Sequence, residues 1–286
     1  MRALAHLVDH RRRLVGDKVR LTHRLTGALK NYFPHVLHWF DDKGTTIFCD
    51  FLAQWPTLKA VQLARRATLE RFFRNHHVRY ADVIDQRIQA IKSATPLTTD
   101  EGIIAPKALL VQALVSHLRM TLRAIEDFDK AIAQRAQRHP DFPLVAALPG
   151  AGAVFAPRLL VAFGEQRERY TSADELQKYA GIAPVTERSG NPCWVHWRLQ
   201  GPTFLRQTCV ERAAESTRPS FWAGAYYQQQ RAQGKSHQAA VWALAFKWLR
   251  ILCRCWQNRT PYDESVDLSA LKRRASPLIH TLAHSA

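Results

Sequence analysis

Between residues 107 and 138 one set of positions returns every three or four residues: Leu110, Leu114, Leu118, Thr121, Ile125, Phe128 and Ile132. That spacing marks one face of an α-helix. A helix this long must bury its stripe against another helix, so the pattern predicts a helical hairpin or a dimer coil. His139-Pro140 ends it, because the residue before a proline is pushed out of helical geometry. The start of the chain carries a second such signal. Leu7, Leu14 and Leu21 stand seven apart over residues 1–31, flanked by Val8, Val15 and Leu29, a short heptad seam.

The remaining sequence also reads as helix. Residues 43–94 predict three shorter helices, with Pro56 breaking the first from the second. Phe72, Phe73 and Tyr80 alternate there with Arg65, Arg66, Arg71, Arg74 and Arg79. Aromatics among arginines can stack on bases, but core packing is their commoner use. TPLTTDEGIIAP (95–106) reads as a loop from its Pro, Thr and Gly content. No run of residues looks like a strand of a parallel sheet. The expected fold is therefore mainly α. A long helical, coiled-coil-like region covers 1–140, and a compact helical domain covers 141–264. A basic tail without fixed structure covers 265–286 and holds Lys272, Arg273 and Arg274.

Charge restricts the partners. Lys plus Arg number 41 against 24 Asp plus Glu, a formal charge of +17. Such an excess repels itself in a folded chain unless a polyanion neutralises it, and nucleic acid is the first candidate. No stretch approaches ~18 uncharged apolar residues, so no membrane partner is expected. The charge is concentrated at the start. Residues 1–30 hold eight Lys or Arg against Asp9 and Asp17, with Arg11, Arg12 and Arg13 in one run. These arginines are candidate phosphate contacts. The five cysteines, Cys49, Cys193, Cys209, Cys253 and Cys255, are odd in number and scattered. That fits reduced thiols in a cytosolic protein, with no disulfide framework and no zinc pattern.

Two short segments carry the chemistry. Leu148-Pro149-Gly150-Ala151-Gly152 precedes a helix that runs to Gly164. Glycines there allow positive φ and close backbone approach, and the helix start welcomes a phosphate. The pattern resembles a helix-hairpin-helix, which makes Gly150 and Gly152 candidate nucleic-acid contacts. Ser189 lies in Glu187-Arg188-Ser189-Gly190-Asn191-Pro192, an exposed turn by composition. A serine in such a turn is usually a turn former. A serine that attacks a phosphodiester needs cations nearby to hold the phosphate, and Arg188, Arg198, Arg206 and Arg212 are close in sequence. His196 is near, but it is no obvious base. From 217 to 256 the spacing of Trp222, Tyr226, Tyr227, Trp242, Phe246, Trp248 and Trp256 favours core packing. Lys235, Lys247, Arg250 and Arg254 are placed on its outer edge.

LPGAGAV, the YAGIAP–ERSG block, HWRLQGPTFLRQ and the WAGAYYQQQRAQGK…ALAFKWLRILCRCW run occur in that order. Together they resemble the insertion-sequence transposases of the IS one-ten family, relatives of the Piv-type DNA invertases. The resemblance covers about 142–262. LVDHRRRLVGDKVRLTHRLTGALKNYFP also looks like the segment that follows the family's catalytic domain. The resemblance implies DNA recombinases of the bacterial cytoplasm and nucleoid that act as oligomers on element ends and target DNA. It also implies a structured guide RNA encoded by the element. Their active site joins a RuvC-like domain, whose four acidic residues bind magnesium, to a serine from the C-terminal domain, and that serine matches Ser189.

The sequence departs from the family in its acids. The RuvC-like domain should precede the segment that opens here. Asp82 and Asp85 have the spacing of the family's last acidic pair but read as surface residues. The expectation is a truncated transposase, inactive alone and needing no cofactor of its own, or the partner of a full-length enzyme. The alternative is a non-catalytic protein that binds element DNA or RNA and oligomerises.

Overall fold

The computed structural model describes residues 1–276 apart from Pro192, Trp197 and Leu199. Among them are fourteen α-helices and one two-stranded sheet, so the fold is mainly α. The chain divides into two compact units, one of residues 9–128 and one of residues 1–8 with 129 onward.

The first unit is built on residues 9–29 of α1 (Arg2–Leu29) and residues 101–128 of α7 (Glu101–Gln137). Between them lie α2 (Val36–Trp39), α3 (Thr46–Gln54), α4 (Leu58–Leu63), α5 (Arg66–Asn75) and α6 (Ala81–Ser93). Residues 43–94 thus hold four helices where three were expected. Pro56 separates α3 from α4, and Thr57 then caps α4 by accepting a hydrogen bond from the Ala60 amide at 3.2 Å. The core is aromatic and centred on Phe51, whose ring lies 5.0 Å from that of Phe40, 5.2 Å from Trp55 and 5.7 Å from Phe72. Phe72 and Phe73 are buried in it and Tyr80 is exposed, so two of the three aromatics among the arginines are core. From α7, Val111, Leu114, Val115 and Leu118 complete this cluster.

Two expectations for α7 change. The loop before it ends at Asp100, whose carboxylate accepts from the Gly102 amide at 2.8 Å. The helix therefore starts at Glu101 and carries Pro106 within it. By length and composition alone α7 is long and apolar enough to cross a membrane, where the sequence offered no run of ~18 uncharged apolar residues. Leu110, expected on the inner stripe, is exposed together with Leu109 and Met120.

The second unit follows. It contains α8 (Phe142–Ala146), α9 (Gly152–Phe163), α10 (Ala173–Tyr179), α11 (Thr203–Glu215), α12 (Phe221–Ala232), α13 (His237–Asn258) and α14 (Glu264–Arg273). The central helix is α13, which packs on α10, α11 and α12, while α9 packs on α8 and α11. Trp222, Trp248 and Trp256 are buried, and the aromatic run is core as expected. Ser172, Ser220 and Ser236 cap α10, α12 and α13. Part of the expected tail is the ordered helix α14. Asp263 caps it by accepting from the Ser265 amide at 2.9 Å, and Leu268 and Leu271 pack against the core. Residues 277–286 lie outside the described residues.

Candidate nucleic-acid interface and serine hairpin

Ser189 stands at the exposed apex of a hairpin. Strands β1 (Val185–Arg188) and β2 (Cys193–His196) pair antiparallel, with Val185 opposite His196 and Arg188 opposite Cys193. The β-branched pair Val185-Thr186 and the aromatic-branched pair Trp194-Val195 suit extended chain. Gly190, at φ 64°, turns the chain between the strands. Each strand has only four residues, too short a run to stand out in the sequence.

Two glycines hold the root of this hairpin. A Cβ on Gly201 would lie 3.2 Å from the Gly181 Cα and 3.1 Å from the Tyr179 carbonyl oxygen. A Cβ on Gly181 would lie 3.1 Å from the Gln200 oxygen. Their backbones therefore touch, so the chain leaves and rejoins the helical body at one point. The body grips that point as well. Buried Gln177 accepts from the amides of Ile182 and Ala183, at 3.1 and 3.0 Å, and donates to the Phe246 carbonyl of α13 at 2.6 Å. The Trp242 indole N–H donates to the Ile182 carbonyl at 3.3 Å. Both glycines lie in segments that stood out in the sequence, but their contact spans twenty residues and has no local signal.

The candidate cations divide between the apex and the root. Arg188 ends β1 beside Ser189 and is exposed. Arg198 lies past β2 and is half buried, and its Nε has no hydrogen-bond partner. Arg206, on α11, donates to the Arg198 carbonyl at 3.2 Å. These two flank the root. Arg212 is elsewhere, fully buried in the core. Its guanidinium lies 3.7 Å from the centroid of the Trp248 ring and donates to the Pro149 carbonyl at 2.9 Å. Burial lowers its pKa to about 9, so it stays charged at neutral pH. It cannot reach a ligand.

His196 lies away from Ser189. It sits opposite Val185 at the root, roughly 10 Å along the strand from the apex. It lies 3.5 Å from Glu187. That pair occupies the sheet face opposite Arg188, because side chains alternate along a strand.

The LPGAG segment joins α8 to α9, and its two glycines behave differently. Gly150 (φ 74°) faces the end of α11, where a Cβ would lie 2.7 Å from the Glu215 carbonyl carbon and from the Ser216 amide nitrogen. Gly152 (φ 50°) has nothing within 4 Å of its Cβ position. Helix α9 runs on to Phe163 and is closed by Gly164 at φ 73°, as the sequence predicted.

On α1, Arg13 is exposed and pairs with Asp9 at 2.8 Å, while Arg11 and Arg12 are half buried. Consecutive helical residues point 100° apart, so the three do not share one face. Asp82 and Asp85 are exposed on α6, and Asp85 accepts from Arg66, as surface residues do. Among the described residues no three His, Cys, Asp or Glu converge as a metal site requires. These side chains do not supply the donor set that the magnesium of the resemblance would need. Cys49, Cys209, Cys253 and Cys255 are buried free thiols. Burial pushes the pKa of Cys49 and Cys209 up to about 12, which leaves them unreactive.

The profile of the family described as Transposase IS116/IS110/IS902 matches residues 143–228, a span that runs from α8 through the hairpin into α12. A transposase proposed for the IS117 mini-circle of Streptomyces coelicolor is 28% identical over 277 residues, covering 94% of this chain and 64% of its own length. An uncharacterised 42 kDa protein of insertion element IS900 from Mycobacterium paratuberculosis is 26% identical, covering 92% of this chain and 66% of its own length. An uncharacterised 43.6 kDa protein of IS110 from Streptomyces coelicolor is also 26% identical, with 91% and 64% covered. The chain therefore spans just under two thirds of the length of the relatives it matches. Residues 143–228 thus match the IS116/IS110/IS902 transposase family, and the chain is similar along nearly all of its length to proteins of such insertion elements.

Proposed function

We propose that this chain serves DNA transposition by an insertion sequence, with Ser189 as the nucleophile that joins protein to DNA. The observation that carries the reading is the position of Ser189, exposed at the tip of a hairpin clamped at its root and followed by cations. The Ser189 Oγ attacks a phosphodiester phosphorus. An Oγ–P bond forms, the bond from phosphorus to one deoxyribose oxygen breaks, and that oxygen takes up a proton as the serine hydroxyl gives one up. Arg188, beside the serine, offsets the charge that develops on the phosphoryl oxygens. Arg198 and Arg206 are too far from the apex for that role and hold the flanking backbone. Gly152, Arg11, Arg12 and Arg13 are assigned further backbone contacts, with the α8–α9 turn acting as a helix-hairpin-helix. A structured RNA of the element and further copies of a transposase are the proposed partners. The described residues offer no magnesium donor set, so no step here passes through the metal.

The test is a covalent adduct. Labelled element-end DNA is incubated with magnesium, the element RNA and the purified chain, alone and mixed with a full-length relative carrying its own serine-to-alanine change. An adduct of this chain is expected in the mixture, lost in Ser189→Ala while binding is kept. An adduct that survives Ser189→Ala removes Ser189 from the mechanism. The dispersal of the carboxylates favours one second reading, a non-catalytic protein that binds nucleic acid and oligomerises. DNA binding with no adduct in either mixture would select it.

A further inference from the structure

A groove among α12, α13 and α14 plays no part in the serine chemistry. Its volume is about 610 Å³, within the roughly 300–1,000 Å³ of small-molecule sites. Tyr226 and Phe246 form an aromatic wall, and Lys247, Arg250 and Arg274 stand at its rim. Lys247 and Arg250 are exposed and one helical turn apart on α13. The Lys247 ammonium rests over the Tyr226 ring, 4.6 Å from its centroid. Partial burial, and then the like charge of Arg250, hold its pKa below the usual lysine value. Among the residues lining the groove Asp267 is the one carboxylate, and it is engaged at 3.3 Å with Arg254, which lies outside the groove. The rim thus gathers three cations beside an aromatic wall, and among the described lining residues the one carboxylate is already paired with Arg254.

We propose that this groove holds an unpaired nucleotide of a nucleic-acid strand, its base against Tyr226 and Phe246 and its phosphates on Lys247, Arg250 and Arg274. An arriving phosphate draws the Lys247 ammonium off the tyrosine ring and leaves that face to the base. Bases inside a duplex are stacked and closed to such a wall, so the site selects a single strand. The inference rests on the reading of this chain as nucleic-acid-binding.

The experiment is fluorescence polarisation with labelled oligo(U) RNA, oligo(dT) DNA and a DNA duplex of equal length. The proteins are the full chain, Tyr226→Leu, and the double change Lys247→Ala/Arg250→Ala. Tyr226→Leu should weaken single-strand binding roughly tenfold and leave the duplex unaffected. The double change should lower the single-strand salt slope by about 1.4, the loss of two phosphate contacts. The strand that loses more affinity, RNA or DNA, identifies the source of the nucleotide. A 5-iodouridine strand should crosslink within 222–251 or 267–274. Unchanged single-strand binding in both variants, or crosslinks only elsewhere, overturns the groove while duplex binding upholds the wider reading. A wild-type chain that binds neither strand nor duplex overturns both.

Discussion

Gly150 and Gly152 share a positive φ and a motif, yet alanine should affect them very differently. At Gly152 (φ 50°) an added Cβ meets nothing within 4 Å. Its cost is the left-handed backbone of an L-residue, about 1–2 kcal/mol, reduced by roughly 0.4–1 kcal/mol for the stiffer unfolded chain. At Gly150 the same terms apply, and the Cβ also falls 2.7 Å from main-chain atoms of Glu215 and Ser216. Main chain at a helix end cannot swing aside as a side chain does. Moving it would strain the Ser216 hydroxyl, which accepts from the Trp248 indole at 2.8 Å, and the Arg212–Pro149 bond that ties the same turn to α11. Overpacking of this kind adds about 1–3 kcal/mol. Gly150→Ala should therefore cost about 1–3 kcal/mol more than Gly152→Ala in urea unfolding. Hydrogen exchange should rise in α9 and α11, and α2 through α6 should be spared. Equal destabilisation by the two alanines would refute the argument that contact with α11 is the purpose of Gly150. The pair also separates structure from binding, because only Gly152 leaves open space for a phosphate backbone, so Gly152→Ala should lose DNA affinity at little cost in stability.

Three further outcomes follow from charge and burial. Arg212→Met should change stability by less than about 1.5 kcal/mol, because it fills the space beside Trp248 while removing a buried charge whose Nε and Nη1 lack partners. Arg212→Ala should cost about 2–5 kcal/mol, and equal losses in thermal melts would show that the charge itself is needed. Burial outweighs Arg254 at Asp267 and raises its pKa, so the folded chain binds that proton more tightly than the unfolded one. Its favourable contribution is thus present on the acid side, near the usual aspartate value of about 3.9, and is lost as pH rises through the raised pKa. Asp267→Asn should be at least as stable as wild type at pH 7 and lose that advantage on acidification; a variant weaker at pH 7 and equal in acid would reverse the sign. Neutralising Arg11, Arg12 and Arg13 together should lower the salt slope of duplex binding by up to about 2.7, whereas an unaltered slope would leave them as ordinary α1 surface.

Periodicity made the helices legible. The seam of α7 and its stop at His139-Pro140, the opening helix α1 and the aromatic core of α13 all follow from residues three or four apart. Local signals are weaker where two forces compete. The proline at 106 argues against helix, yet Asp100 starts one before it. Lys272, Arg273 and Arg274 suggest a solvated tail, yet Leu268 and Leu271 have core to cover. The glycine turns and the serine of the candidate site stand out in the chain, but their geometry rests on long-range contacts. Nothing local to Arg212 shows that a residue near three other arginines is buried under Trp248, and nothing local to Gly181 points to Gly201.

That glycine contact makes the hairpin an exchangeable part. Entry and exit share one place on the helical body, so the loop can grow or shrink without moving any helix. Adding two residues to each strand preserves which face every side chain takes and carries the serine outward by about 6.8 Å. The reach of the serine beyond the body is in this sense a length independent of the core, and a hairpin cut at Gly181 and Gly201 is the natural unit to exchange.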